Sequence, residues 1–293
     1  MGSGRFRIGT SPRHWHRRSS ACGDRRRAVV MSGRLLFGED REWTGGETSP
    51  IAWCVLAPNP SAWTLDGTNT WIVGAAGGRC VVVDPGPLDG GHDTAILHRV
   101  EEQGSQITAV LLTHGHWDHA QGASELADRA GVPVHAWADG TLTTDHRFEV
   151  GGADISVIAT PGHTSDSVCF LADDLLLTGD TVLGRGTSVV AHPDGRLADY
   201  LGSLQTLARM CEDKGVGRLL PGHGPLIDDP TRVLDYYLRH REERLQQVRE
   251  AMAAGATTVS EITDRVYWDV PAEVRRAAEA TVAAQIDYLE ETS

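Results

Sequence analysis

The segment Thr113-His114-Gly115-His116-Trp117-Asp118-His119 constrains this chain more than any other. It sets three histidines and an aspartate within six residues, directly after the apolar run Ala109–Leu112. Imidazoles and a carboxylate crowded at a strand end cannot all be satisfied as core side chains. Together they suit a divalent metal such as zinc. In a turn, the alternate residues His114 and His116 face one way, while Asp118 and His119 open the next helix and converge from another. The fold must therefore bring further donors to this strand end.

Three candidates each follow an apolar run and sit among turn residues: His163 in Thr160-Pro161-Gly162-His163-Thr164, Asp180 in Leu177-Thr178-Gly179-Asp180-Thr181, and His223 in Leu220-Pro221-Gly222-His223-Gly224. A glycine precedes each, which lets the backbone turn tightly and approach closely. Any one of them alone would be an ordinary turn. With the first four they complete a set of seven donors.

The rest of the chain supplies the strands and helices such a site needs. Short runs rich in Val, Ile and Leu predict strands at Ile51–Leu56, Thr70–Val73, Cys80–Asp84, Ala109–Thr113, Val132–His135, Asp154–Thr160, Val168–Leu171, Leu175–Thr178 and Arg218–Leu220. Helical patterns at 91–103, 120–130 and 198–212 alternate with them, which predicts an α/β protein with helices layered on sheets. The character changes near residue 230. A helix is expected from Val233 to Met252, and Thr258 three residues before Glu261 reads as a capping box opening a short helix through Val266. A last helix follows Pro271, with Val274, Ala278, Val282, Ile286 and Leu289 forming one apolar stripe. Domains are thus expected at 48–230 and 231–293.

Charge narrows the partners. Residues 1–30 hold eight arginines against the single acid Asp24, so the net −13 leaves −20 on residues 31–293. An acidic body opposes tight nonspecific binding to nucleic acid, although bound metals add positive charge that formal counting misses. The Arg-rich start lacks the apolar core of a secretory signal. The whole chain has one lysine, Lys214, the usage of a GC-rich genome. Residues 1–47 are accordingly expected to be a disordered extension, with Met31 as the true start. No apolar run is long enough for a membrane helix. Five cysteines (Cys22, Cys54, Cys80, Cys169 and Cys211) without a CxxC pair point to a reducing compartment, the cytoplasm.

With its H-x-H-x-D-H motif followed by His, Asp and His, the chain resembles the metallo-β-lactamase fold superfamily over residues 51–225. The resemblance implies a four-layer αββα sandwich and two divalent metal ions, zinc first and iron or manganese as alternatives. His114, His116 and His163 would hold one ion, Asp118, His119 and His223 the other, and Asp180 would bridge them. Asp118 and Asp180 would be the catalytic carboxylates, the ions activating a water. Asp84 and Thr164 would steady ligands from behind. His192 and Tyr200, in and after a Gly-containing loop, are weak candidates for substrate contact. Drug-hydrolysing members carry cysteine where this chain has Asp180, and flavodiiron proteins carry an acid where it has His116. Persulfide dioxygenases use the same frame with a single iron, and the basic glutathione-binding residues of glyoxalase II have no clear match.

Further motifs are similar to the lactamase-β-like protein 2 group: Gly67-Thr68-Asn69-Thr70, Val83-Asp84-Pro85-Gly86, Leu183-Gly184-Arg185-Gly186-Thr187, Asp199-Tyr200 and His240-Arg241. That group carries a small helical, winged-helix-like C-terminal domain, and its animal mitochondrial member is a single-strand-specific endoribonuclease. The resemblance therefore implies a hydrolase of single-stranded RNA. A thioester or other small acyl hydrolase of glyoxalase II type is equally allowed by the ligands. A non-enzymatic metal-binding scaffold with a partner-binding helical domain is the third reading.

Overall fold

A computed structural model describes residues 42–292. The expectations for residues 1–41, Met31 included, lie outside the described residues. Two mixed sheets form the centre. The first has strand order β1 to β6: β1 (Gly46–Ser49), β2 (Ala52–Leu56), β3 (Asn69–Val73), β4 (Arg79–Val83), β5 (Gln106–Leu111) and β6 (Val134–His135). The second has the order β11-β10-β9-β8-β7: β7 (Arg147–Val150), β8 (Ala153–Ala159), β9 (Val168–Ala172), β10 (Leu175–Gly179) and β11 (Arg218–Pro221). β1 begins at Gly46, two residues inside the segment expected to be an extension.

Three apolar clusters show how the layers stack. Between the sheets, Trp71, Val81, Val83 and Leu111 of the first meet Ile155, Val157, Phe170 and Leu177 of the second. Outside the first sheet, Ile72, Cys80, Val82 and Val110 pack on α1 (Gly90–Glu102) and α3 (Ala123–Ala130), which contribute Ile96, Val100 and Leu126. Outside the second sheet, Cys169, Leu176 and Leu219 pack on α4 (Leu197–Lys214). The order is helix, sheet, sheet, helix. Strands buried on both faces read as continuous apolar runs, which is why the sequence located them.

Strand direction then places the loops. β4 and β5 are parallel, and β10 and β11 are parallel. β9 is antiparallel to both β8 and β10, so β8 and β10 share one direction. The carboxyl ends of β8, β10 and β11 therefore leave the second sheet on one edge, and those of β4 and β5 leave the first together. A one-turn helix α2 (Trp117–Ala120) follows β5 at that edge.

The C-terminal segment holds α5 (Pro230–Ala253), α6 (Val259–Val266) and α7 (Arg275–Glu291), with a 3-10 turn at Ala272–Val274. The capping box of Thr258 and Glu261 is formed as the spacing predicts. Among the described residues no strand follows Pro221, so the segment has no hairpin wing. Nor does it keep a core of its own. Val233, Leu234 and Tyr237 of α5, Ile262 of α6 and Val282 and Leu289 of α7 join Leu204 and Leu207 of α4 in one apolar cluster. In the expected stripe on α7, Ala278, Val282 and Leu289 are buried while Val274 and Ile286 are half-buried.

Removing residues 231–293 is thus expected to uncover the outer face of α4 and the second sheet, and to yield an aggregated or unfolded product. Leu234→Ala, at a fully buried site, should cost about 2–5 kcal/mol in a denaturant titration. A truncated chain with native circular dichroism and an unchanged midpoint would show that the helices are a separate unit.

Candidate metal centre

Four donors come from one short stretch because the chain turns out of β5 straight into α2. Three nitrogens meet on one side: His116 Nδ1 lies 3.0 Å from His114 Nε2 and 3.1 Å from His163 Nε2. On the other side His223 Nε2 lies 3.2 Å from His119 Nε2 and 3.2 Å from Asp118 Oδ2. Asp180 stands between the two sets. Its Oδ1 is 3.4 Å from His119 Nε2, and its Oδ2 is 3.6 Å from His223 Nε2 and 3.8 Å from His163 Nε2. All seven sequence-predicted ligands are brought together, and they fall into sets that can hold metal ions.

What lies behind the rings decides which nitrogens face inward. His119 Nδ1–H donates to Asp84 Oδ2 at 2.9 Å, His163 Nδ1–H to the Val189 carbonyl at 2.7 Å, and His223 Nδ1–H to the Gly67 carbonyl at 3.1 Å. The Thr113 hydroxyl donates to Asp84 Oδ2 at 2.6 Å and so accepts from His114 Nδ1–H at 3.0 Å. A neutral imidazole has one N–H. In the neutral form, with that proton engaged at Nδ1, the Nε2 lone pairs of His114 and His163 face His116 Nδ1, and those of His119 and His223 face each other. Buried lone pairs about 3 Å apart repel unless a proton or a cation lies between them, and Asp180 Oδ1 makes no hydrogen bond. Cations satisfy all of these atoms at once, and an orienting hydrogen bond behind each ring is the usual support of a metal ligand.

The electrostatics agree. Burial, then the neighbouring imidazoles, pushes His114 well below the ordinary range, and burial lowers His163, so both rings favour the neutral form. Burial also opposes charge on His119, but the carboxylates of Asp180 and Asp84 outweigh it and raise this ring. For Asp180, burial pulls upward while the His223 and His119 charges hold it well below the carboxylate range. Asp118 is likewise lowered against burial, by its hydrogen bond to His223 and by His119. The centre is built for positive charge that protons alone cannot distribute over it.

Two details let the loops come this close. Asp84 follows β4 with φ 51°, the left-handed region that aspartate tolerates better than most residues, and its Oδ1 accepts from the Thr113 amide at 2.8 Å. At Gly222, a Cβ would lie 2.6 Å from Asp180 Oδ1 and 2.7 Å from His119 Cε1. Only a residue without a side chain fits between these ligands.

Asn69, which sequence reasoning passed over except as part of a motif, ties the ligand loops together. Its Nδ2 donates to the carbonyls of Pro221 at 2.9 Å and Gly224 at 2.8 Å, on either side of His223. Three other expected residues have partners in the fold. Tyr200 is fully buried and its hydroxyl donates to the Thr181 carbonyl at 2.7 Å, so it supports the Asp180 loop and cannot touch substrate. His192 bonds Asp287 of α7 at 2.9 Å, which holds the loop to that helix. Thr164 spends its hydroxyl on Ser167 Oγ at 2.7 Å and steadies its own turn instead of a ligand ring.

A groove of about 560 Å³ runs beside the His116 side of the centre, lined by Gly115, His116, Trp137, Thr164, Asp166 and Asp194 among others. Asp194 is held facing Ser165, whose amide and hydroxyl donate to it at 2.9 and 2.6 Å. Among the described residues no Lys or Arg lines this groove.

Comparison with known proteins agrees with this geometry. A model of the metallo-beta-lactamase superfamily matches residues 63–138. The chain is 33% identical to the beta-lactamase-like protein 2 homolog of Caenorhabditis elegans over 241 residues, covering 76% of this chain and 79% of the relative. It is 32% identical to the lactamase-like protein adaB of Aspergillus niger over 246 residues, covering 76% and 75%. Among solved structures, a metallo-beta-lactamase family protein from Thermus thermophilus shares the fold with a TM-score of 0.68 at 22% identity, covering 83% of this chain and 94% of that one.

Elemental analysis of chelator-free protein should give close to two metal ions per chain. Gly222→Ala should lose at least one of them while keeping its circular dichroism, because the added Cβ falls on Asp180 and His119. A proton competes with metal at His119, whose carboxylate neighbours raise it, so release of metal to a chelator should rise as the pH falls. Release that is flat with pH would contradict that assignment.

Proposed function

We propose that this chain, which belongs to the metallo-beta-lactamase superfamily, hydrolyses an acyl substrate such as a thioester with two divalent ions, zinc first. His114, His116, Asp118, His119, His163, Asp180 and His223 are the residues that would hold the ions. The observation that carries the choice of substrate is the groove beside the centre, walled by Trp137 and the carboxylates Asp166 and Asp194. A single-stranded RNA, the substrate implied by likeness to the lactamase-β-like protein 2 group, would lay phosphates on both sides of the attacked one. Those phosphates would face carboxylates where RNA-binding surfaces carry Lys and Arg. An acyl substrate brings one polar centre and an apolar arm, which suits Trp137.

Ions held here would supply Lewis acidity and lower the pKa of water toward about 7. The residues do the rest. His116 borders the groove and so orients the substrate end of the centre. Asp118 Oδ2, an ionised carboxylate 3.2 Å from His223 Nε2, accepts the proton released as water attacks and returns it to the leaving group. Asn69 and Asp84 keep the ligand loops fixed, so little reorganisation accompanies the reaction. The four described cysteines are free and buried, which fits a reducing compartment such as the cytoplasm. No described helix is long and apolar enough to cross a membrane.

Metal-loaded protein should hydrolyse S-acyl thioesters and leave single-stranded RNA intact under the same conditions. Asp118→Asn, with its metal content checked, should lower kcat by about 10²–10⁴-fold, the usual worth of a positioned proton acceptor. RNA cleavage that survives further purification, with no thioester turnover, would replace the acyl reading with the phosphodiester one.

A further inference from the structure

The loop that follows Asp180 is held from behind by the C-terminal helices. Tyr237 of α5 accepts from the Leu183 amide at 2.8 Å. Thr281 of α7 accepts from the Val190 amide at 3.4 Å. Between these, Arg241 of α5 donates from Nη2 to the Ser188 carbonyl, and its guanidinium lies over the Tyr200 ring at 4.8 Å. Ser188 stands at the junction. Its hydroxyl donates to the Asp180 carbonyl and lies 3.4 Å from His163 Nδ1, and the next carbonyl, Val189, accepts from that same nitrogen at 2.7 Å. One guanidinium thus governs the residue that touches the backbone of one metal ligand and the ring of another.

Arg241 is an odd choice for this place if packing were its only task. It is 1% exposed, and its Nε has no hydrogen-bond partner. Its partners among the described residues are a carbonyl and a phenol ring, and it makes no ion pair with a carboxylate, although Asp180 acts on the same phenol. A buried charge without a partner charge is costly, and apolar residues of similar volume often replace such groups without loss of stability. What an apolar side chain cannot do is hold the Ser188 carbonyl.

We propose that Arg241 is a positioning residue for the metal centre, fixing through Ser188 the loop that carries Asp180 and the acceptor for His163. The C-terminal helices then complete the centre. This inference rests on the two-metal reading of the centre, and the experiment separates the two.

The test titrates zinc into apo protein against a chromophoric chelator, beside the melting temperature of the apo form, for wild type, Arg241→Met, Arg241→Lys and Ser188→Ala. In Arg241→Met zinc affinity should fall about 10–100-fold, as when other supports behind a metal ligand are removed, with the apo melting temperature unchanged or raised. Arg241→Lys, which can still donate to the carbonyl, should recover part of the loss. Ser188→Ala leaves α5 intact and should also weaken zinc, so it decides the matter if Arg241→Met does not fold. Wild-type zinc affinity in folded Arg241→Met, or in Ser188→Ala when that variant decides, overturns the proposal. Absence of zinc binding in wild type would instead overturn the metal reading itself.

Discussion

The centre depends on how its imidazole protons are disposed. Each of His114, His119, His163 and His223 turns an Nδ1–H outward, to Thr113, Asp84, Val189 and Gly67. The inward nitrogens are left with lone pairs, and burial keeps water from relieving them. An arrangement of this kind favours a bound cation over an empty centre. The acceptors are spread over the loops after β2, β4 and β10 and the strand end at Thr113. The sandwich is therefore as much a device for placing carbonyls and one carboxylate behind the rings as for placing the rings themselves.

Asp84 has the widest reach of these acceptors. Its two oxygens take the Thr113 amide, the Thr113 hydroxyl and the His119 ring, and its own carbonyl accepts from Thr70 at 2.7 Å. It links β3, β4 and β5 to the centre with fixed dipoles that need no rearrangement during reaction. On the second sheet the equivalent work is divided between Asn69, which clasps the His223 loop, and Ser188, which clasps the Asp180 loop from the side of the C-terminal helices. The helices after residue 230 are joined to the sandwich by a common apolar cluster and by polar contacts to the loop that follows Asp180. That is why the expected boundary near 230 marks a change of secondary structure and not a change of core.

Much of the architecture was legible because burial on both faces writes itself into sequence as unbroken apolar runs. β3, β4, β9 and β10 show this plainly, and β8 was found in the same way as a short run rich in Val and Ile. β1 (GETS) and β7 (RFEV) were missed for the opposite reason. They are edge strands with few or no buried residues, and only pairing with β2 and β8 makes them strands. The winged-helix expectation finds no hairpin among the described residues.

By itself the sequence determined which seven residues gather at the centre. His114, His116, Asp118 and His119 lie within a single turn, where local geometry fixes their relation whatever the rest of the chain does. Glycine before His163, Asp180 and His223 marked loops that had to come close to something. Which nitrogen of each ring faces the centre, what holds it there, and which side of the site the acidic groove occupies were decided only by the tertiary structure. Those properties depend on groups far apart in the chain, such as Gly67 with His223 and Ser188 with Arg241. A backbone carbonyl has the same chemistry at every residue, so no sequence pattern marks the ones that the fold will use.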